Sequence, residues 1–229
     1  MIIIKSKDEI DLMRESGKVT GYVLRTLADI IKPGISTMDI NNYVEKTITG
    51  YNMYPTFKGY GGFPGAACVS INEEIVHGIP SKERILKEGD VVSVDVGSTW
   101  KHYVSDAART YPVGESFFKG IEFAKVGHRL SDVSHAIQEH AESAGFGVIR
   151  DYVGHGVGRN LHEDPPIPNY GDPGKGPRLQ EGMVLAIEPM IVQGSYKTET
   201  LLNDWTVVTV DGGLSAHYEN TIVINDGEP

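Results

Sequence analysis

Apolar residues along the first third of the chain recur at helical spacing. Ser6-Lys7-Asp8-Glu9 has the form of a capping box, in which a serine and the acid three positions on satisfy each other's free backbone N–H groups. Ile10, Met13, Leu24, Leu27 and Ile31 follow at roughly helical intervals until Lys32-Pro33-Gly34 stops them, which predicts an amphipathic helix over residues 7 to 32. A second start at Ser36-Thr37 leads a shorter helix carrying Ile40, Val44 and Ile48 and ended by Gly50. From about residue 51 the pattern changes to glycines, aromatics and short β-branched runs, the texture of strands and turns. A third helix is expected from a Ser131 cap through Val133, Ile137 and Ala141 to Gly145.

One pattern occurs twice. EGDVVSVD at residues 88 to 95 is echoed by EGMVLAIE at 181 to 188: Glu-Gly, one variable residue, then an apolar strand closed by an acid. Two halves of related design, roughly 1–115 and 116–229 within a single domain, would produce this. Chance is the alternative, since Glu-Gly before a strand is a common turn. No stretch reads as a flexible linker, so no domain boundary is expected.

The acids that close these strands are out of place. Asp95 ends Val91-Val92-Ser93-Val94, and aspartate is depleted in strands because its charge is costly to bury. A hairpin turning at Trp100-Lys101 would set Asp95 directly across from Asp106, with Cβ atoms about 5 Å apart. Two carboxylates so placed repel unless a cation lies between them or the hairpin end is open to water. The second half weighs toward the cation. Glu188 ends Val184-Leu185-Ala186-Ile187, and Glu219 precedes the strand-like Thr221-Ile222-Val223-Ile224. His155 sits in Gly154-His155-Gly156-Val157-Gly158, where glycines permit close backbone approach. Four carboxylates and one imidazole make a hard, oxygen-rich donor set suited to two divalent ions such as manganese, iron(II), cobalt or zinc. His77 and His162 lie at Gly- and Pro-rich turns rather than on a periodic apolar face, which marks them as candidate site residues. His102, His128, His135, His140 and His217 are read as surface or structural.

Composition narrows the class. The 229 residues include 31 acidic and 21 basic side chains, a formal net charge of −10, the wrong sign for phosphate-backbone binding. A single cysteine, Cys68, excludes an internal disulfide and thiolate-rich zinc modules and points to a reducing, cytoplasmic setting. No signal peptide or membrane-length apolar run is present. The 27 glycines exceed the roughly 16 expected at the usual ~7% share and imply a site built from turns.

With these residues in place, the chain resembles the type I methionine aminopeptidases, in their short bacterial form. The resemblance is carried in order by FKGYGGFP (57 to 64), CVSINEEIVHGIP (68 to 80), EGDVVSVDVG (88 to 97), SDAART (105 to 110), DYVGHGVGRNLHEDPPIPNYG (151 to 171), EGMVLAIEPM (181 to 190) and LSAHYENT (214 to 221). It implies the α+β pita-bread fold, a pseudo-two-fold pair of α/β halves with a central antiparallel sheet and outer helices. It also implies removal of the initiator methionine from nascent proteins, with a small second residue preferred. Asp95 would bind one metal, His155 and Glu188 the other, with Asp106 and Glu219 bridging, and a bridging hydroxide would attack the scissile carbonyl. His77 and His162 would engage the peptide, and Glu188 would carry the proton to the leaving amine. Phe57, Tyr60, Phe63, Cys68, Leu161 and Trp205 would line the methionine pocket. The implied partners are nascent chains, with transient ribosome association, no nucleic-acid specificity and no membrane, and the expected state is a monomer.

The sequence departs from the family at two places. The C-terminus stops at Glu228-Pro229, where relatives usually continue through another short strand. SFFKGIEFA (116 to 124) stands where relatives carry a longer helix, so about four helical turns are absent. Prolidases and aminopeptidases P share the fold and metals but usually carry an additional N-terminal domain. This chain starts almost directly in the catalytic fold, which favours the methionine-specific reading.

Overall fold

The computed structural model describes residues 1–110, 120–227 and 229. Helix α1 (Lys7–Ile30) starts at the expected box: Glu9 N–H donates to Ser6 Oγ at 3.4 Å and Ser6 N–H to Glu9 Oε2 at 2.8 Å. It ends at Ile30 rather than residue 32, because Lys32 precedes Pro33 and is pushed out of the helical region. Helix α2 (Thr37–Gly50) repeats the device with Ser36 and Asp39. Helix α3 (Leu130–Ser143) corrects the sequence reading at both ends. Its cap is Arg129, whose N–H donates to Asp132 Oδ2 at 2.8 Å, and Gly145 lies beyond its C-terminus. Ser131 is instead tied to a loop, donating to Lys175 O at 3.0 Å and accepting from Lys175 N–H at 2.6 Å. Residues 116–119 of the shortened connection lie outside the described residues.

The first half contributes strands β1 (Tyr54–Pro55), β2 (Cys68–Ile71), β3 (Glu74–Val76), β4 (Val92–Trp100) and β5 (Tyr103–Thr110). The second contributes β6 (Gly147–Val148), β7 (Gly154–Gly156), β8 (Glu163–Ile167), β9 (Val184–Ile187) and β10 (Met190–Val192). After these come β11 (Thr198–Thr200), β12 (Val207–Thr209), β13 (Ser215–His217) and β14 (Asn220–Val223). All strand pairs among the described residues are antiparallel. In the first half β4 lies between β2 and β5, and in the second the order is β14-β9-β7-β8. One apolar cluster packs α1 and α2 onto β2 and β4, and another packs α3 onto β9. The repeated Glu-Gly is a matched structural feature: Gly89 and Gly182 both turn at positive φ, 89° and 85°, just ahead of β4 and β9.

The β4-β5 hairpin does not turn where the sequence suggested. Trp100 pairs with Tyr103, so the two-residue loop is Lys101-His102, both at positive φ as a tight hairpin of this hand requires. Asp95 therefore faces Ala108, and Asp106 faces Gly97. Because the register moves by an even number of residues, the two aspartates stay on one face as diagonal neighbours.

Helix α1 meets this hairpin through hydroxyls as well as methyls. Ser16 Oγ donates to Ser98 O at 2.5 Å, while Thr20 Oγ1 lies 2.8 Å from Ser98 Oγ and 2.6 Å from Ser105 Oγ, all buried. On its other edge β5 is tied to the second half. Ala108 and Glu219 exchange backbone hydrogen bonds of 3.2 and 3.0 Å, and Thr221 Oγ1 accepts from Asp106 N–H and donates to Asp106 O. No helix among the described residues is long and apolar enough to cross a membrane.

Candidate metal centre and substrate pocket

The joining of the two halves brings the five acid and imidazole candidates to one cavity of about 180 Å³. Asp95 and Asp106 project from the hairpin, His155 from the middle of β7, Glu188 from the end of β9, and Glu219 from the junction of β13 and β14. The glycines beside His155 are explained by crowding from neighbouring backbone. A Cβ at Gly154 would lie 2.4 Å from Ala186 O, and one at Gly156 2.1 Å from Asp164 O. Side chains there would force β7 away from β9 and β8 and carry the imidazole with it.

The electrostatics are those of a site requiring positive charge. Burial, with smaller contributions from neighbouring groups, pushes the Asp95 carboxyl up to about 6 and burial pushes Glu188 up to about 8. Burial, then the neighbouring carboxylates, raise Asp106 and Glu219 well above the ordinary range. No lysine or arginine lines the cavity among the described residues. Asp95 Oδ1, Asp106 Oδ1 and Glu219 Oε1 are buried without a hydrogen-bond partner, which is costly for carboxylate oxygens unless a cation takes that place.

Distances agree. His155 Nε2 lies 3.6 Å from Glu188 Oε1 and 3.9 Å from Asp106 Oδ2. Two donors each about 2.1 Å from one tetrahedral ion stand roughly 3.4 Å apart. His155 Nδ1 lies 2.9 Å from Gly156 O, a contact that places the ring proton on Nδ1 and leaves Nε2 free to ligate. Burial, then His162, hold this imidazole down to about 4, neutral at physiological pH. The donors present fit divalent ions.

His77 and His162 open onto the same cavity. His77 occupies a left-handed backbone position, φ 59°, with its ring edge-on to Tyr152 at 5.8 Å. Burial, then His217 and His162, lower it to about 4. His162 Nδ1 is 2.8 Å from the Tyr60 hydroxyl, its ring packs edge-on against His155 at 4.3 Å, and burial lowers its pKa. All six residues expected in the methionine pocket line the cavity as well. Phe57, Phe63, Cys68 and Leu161 are buried, Trp205 stacks edge-on against Phe63 at 5.1 Å, and Tyr60 stands at the exposed mouth. Burial, then Asp95, Asp106 and Glu219, raise the Cys68 thiol well above its usual value, so it stays a neutral wall group.

Sequence reasoning missed four lining residues: Val76, Tyr152, Val153 and His217. His217 was read as surface or structural, yet it is fully buried with Nε2 3.5 Å from Glu188 Oε2. The available signal was alternation, because residues 217 and 219 fall on one side of an extended chain. Tyr152 lay inside the DYVGHGVG run without any distinguishing chemistry.

Comparison with known proteins adds identity to this geometry. The model of metallopeptidase family M24 matches residues 11–226. The chain is 55% identical over 243 residues to the methionine aminopeptidase of Clostridium acetobutylicum, covering 100% of this chain and 97% of that protein. It is 51% identical to methionine aminopeptidase 1 of Bacillus subtilis, with 99% and 96% covered. Among solved structures, the methionine aminopeptidase of Thermotoga maritima superposes with a TM-score of 0.97 at 49% identity, covering 100% of this chain and 97% of that one.

Proposed function

The chain belongs to metallopeptidase family M24, among the type I methionine aminopeptidases, and from that premise we propose how its cavity removes an N-terminal methionine. The fold is the family's pita-bread arrangement and the activity is hydrolysis of the first peptide bond. We read residues 1–229 as one catalytic domain of two halves, roughly 1–115 and 116–229. Asp95, Asp106, His155, Glu188 and Glu219 are the residues that would hold two divalent ions. Cobalt, manganese, iron(II) and zinc all suit this donor set. When bound, such ions supply an activated water and polarise the scissile carbonyl.

The remaining roles fall to the chain's own side chains. Phe57, Phe63, Cys68, Leu161 and Trp205 give the methionine side chain an apolar, largely aromatic wall with one thiol. In the tautomer that accepts the Tyr60 hydroxyl proton at Nδ1, His162 carries its own proton on Nε2. That N–H is then available to the oxygen of the tetrahedral intermediate. His77, neutral and edge-on to Tyr152, borders the path of the peptide. Burial raises the proton affinity of Glu188, which suits its carboxylate to accept a proton from the attacking water and return it to the leaving amine. The preference for a small second residue comes with the resemblance to the type I methionine aminopeptidases. The substrates are new polypeptides bearing an N-terminal methionine; ribosome contact, a cytoplasmic location and a monomeric state belong to the same proposal.

The observation that carries this reading is the gathering of a carboxylate-imidazole set and an apolar aromatic set around one cavity. Met-Ala-Ser and an Xaa-Pro peptide assayed side by side with the metal-loaded protein test it. Methionine is expected from the first and nothing from the second; cleavage of the second alone would overturn it.

A further inference from the structure

A lysine and a glutamate pair in the interior, outside the cavity. The side chains of Lys5 and Glu163 are only 4% and 3% exposed. Lys5 Nζ donates to Glu163 Oε2 at 2.6 Å and to Ile3 O at 2.9 Å. Burying such a pair carries a desolvation cost that an apolar pair of similar volume avoids, so stability alone gives little reason for it. The backbone nevertheless makes room: a Cβ at Gly158 would lie 2.5 Å from Lys5 Cε and 2.6 Å from Glu163 Oε1. The segment that delivers Lys5 is pinned in turn. Lys5 N–H donates to Gly182 O at 2.9 Å, and a Cβ at Gly182 would lie 2.8 Å from Lys5 O.

What the pair holds is the turn leading into β8. Glu163 Oε1 accepts from Asn160 N–H at 3.1 Å, and Gly158 N–H donates to Asn160 O at 3.1 Å. The carboxylate thus closes the turn from Asn160 to Glu163, whose two middle residues, Leu161 and His162, both line the cavity. Another tie between this turn and the N-terminal segment, Arg159 to Glu9 at 3.9 Å, is largely exposed and worth little. One oxygen of Glu163 therefore takes the Lys5 ammonium while the other takes the turn, and the buried charge fixes the backbone on which His162 stands.

We propose that Lys5 and Glu163 are positioning residues for the reaction, a buried ion pair that sets His162 where its ring meets the scissile group. The inference rests on the role given to His162 above, and the two can fail separately. In Lys5→Met/Glu163→Leu both charges leave together, so neither is stranded and the fold should stand; urea unfolding and metal content check this. The metal-loaded protein is then assayed on Met-Ala-Ser in a cycle with His162→Ala. With His162 present, kcat should fall by tens of fold, toward the ~100-fold that a misplacement of about 1 Å can cost. In the His162→Ala background the same pair of substitutions should change kcat by no more than about twofold, because the group it acts through is gone. An equal fall in both backgrounds, or no fall in either, overturns the proposal and leaves the pair a structural staple. Should the double variant not fold, Glu163→Gln enters the same cycle. It keeps the shape but leaves one acceptor oxygen for two donors, and a fall in kcat confined to the protein that retains His162 is again expected. Near-normal kcat in His162→Ala alone would overturn the role of His162 itself, and the inference with it.

Discussion

Gly156→Ala is expected to damage both the fold and the metal centre through one steric cause. The added Cβ would lie 2.1 Å from Asp164 O, 2.7 Å from Asp164 C and 3.0 Å from Glu163 O, all atoms that cannot rotate away. Relief requires β7 and β8 to part by more than about 1 Å, at the upper end of the ~1–3 kcal/mol typical of overpacked sites. For a chain of this size, ~3 kcal/mol corresponds to a fall in Tm of roughly 6–12 °C. His155 precedes the substituted residue and would move with the strand, and a displacement of about 1 Å can cost ~100-fold in turnover. The assay is thermal unfolding of the metal-free protein by circular dichroism, followed by calorimetric titration with manganese(II). Gly50→Ala is the control: it ends α2, has nothing within 4 Å of the new Cβ, and should leave both quantities essentially unchanged. A Gly156→Ala protein that melts within about 2 °C of wild type and binds manganese equally well would refute the steric reasoning.

Three further outcomes follow from the same geometry. Folded-state carboxyls raised by burial, Asp95 to about 6 and Glu188 to about 8, hold protons more tightly than the unfolded chain does. Their contribution to stability is therefore fullest below the ordinary carboxylate range and is lost as pH rises toward 8. Divalent ions displace those protons, so the gap in Tm between manganese-loaded and metal-free protein should widen from pH 6 to pH 8; a constant or narrowing gap in calorimetry counts against the site. Glu188→Ala should lose at least ~100-fold in kcat and His162→Ala about 100- to 1,000-fold, the latter without loss of bound metal. Near-normal kcat in either, or metal release from His162→Ala, contradicts the assigned role. Thr20→Val removes one partner from the hydroxyls of Ser98 and Ser105 in the α1-hairpin interface, leaving Ser16 as their remaining partner on α1, and urea unfolding should show a loss of about 1 kcal/mol.

How much of this was legible in the sequence depended on whether local chemistry or tertiary contact decided each feature. The capping boxes at Ser6 and Ser36 are local and were readable, as was the Glu-Gly repeat, whose two glycines adopt matching turns. Asp95, Asp106, Glu188 and Glu219 stood out because acids at the ends of apolar strands need a reason. The hairpin register was misplaced because neither Trp100-Lys101 nor Lys101-His102 contains the Gly or Asn that usually marks such a turn. The even shift left the shared face intact and the site reading with it. Helix α1 showed its methyl-bearing positions but concealed Ser16 and Thr20, which are buried only because serines on the hairpin oppose them. Ser131 looked like a cap, but a loop more than forty residues away claims its hydroxyl. His217 was missed for a similar reason: its two-residue spacing from Glu219 hints at a shared face, but only the tertiary joint between the halves aims the ring at Glu188.

The central claim is that methionine removal takes place where divalent ions sit on the carboxylates joining the two halves. Release of methionine from Met-Ala-Ser, measured against the amount of manganese bound as it is returned to chelator-treated protein, tests this most directly. Turnover should be absent from the metal-free protein and rise with occupancy to saturation, while Glu219→Gln should bind less metal and recover correspondingly less activity. Full turnover by the metal-free protein, or none from the fully loaded one, would contradict the account.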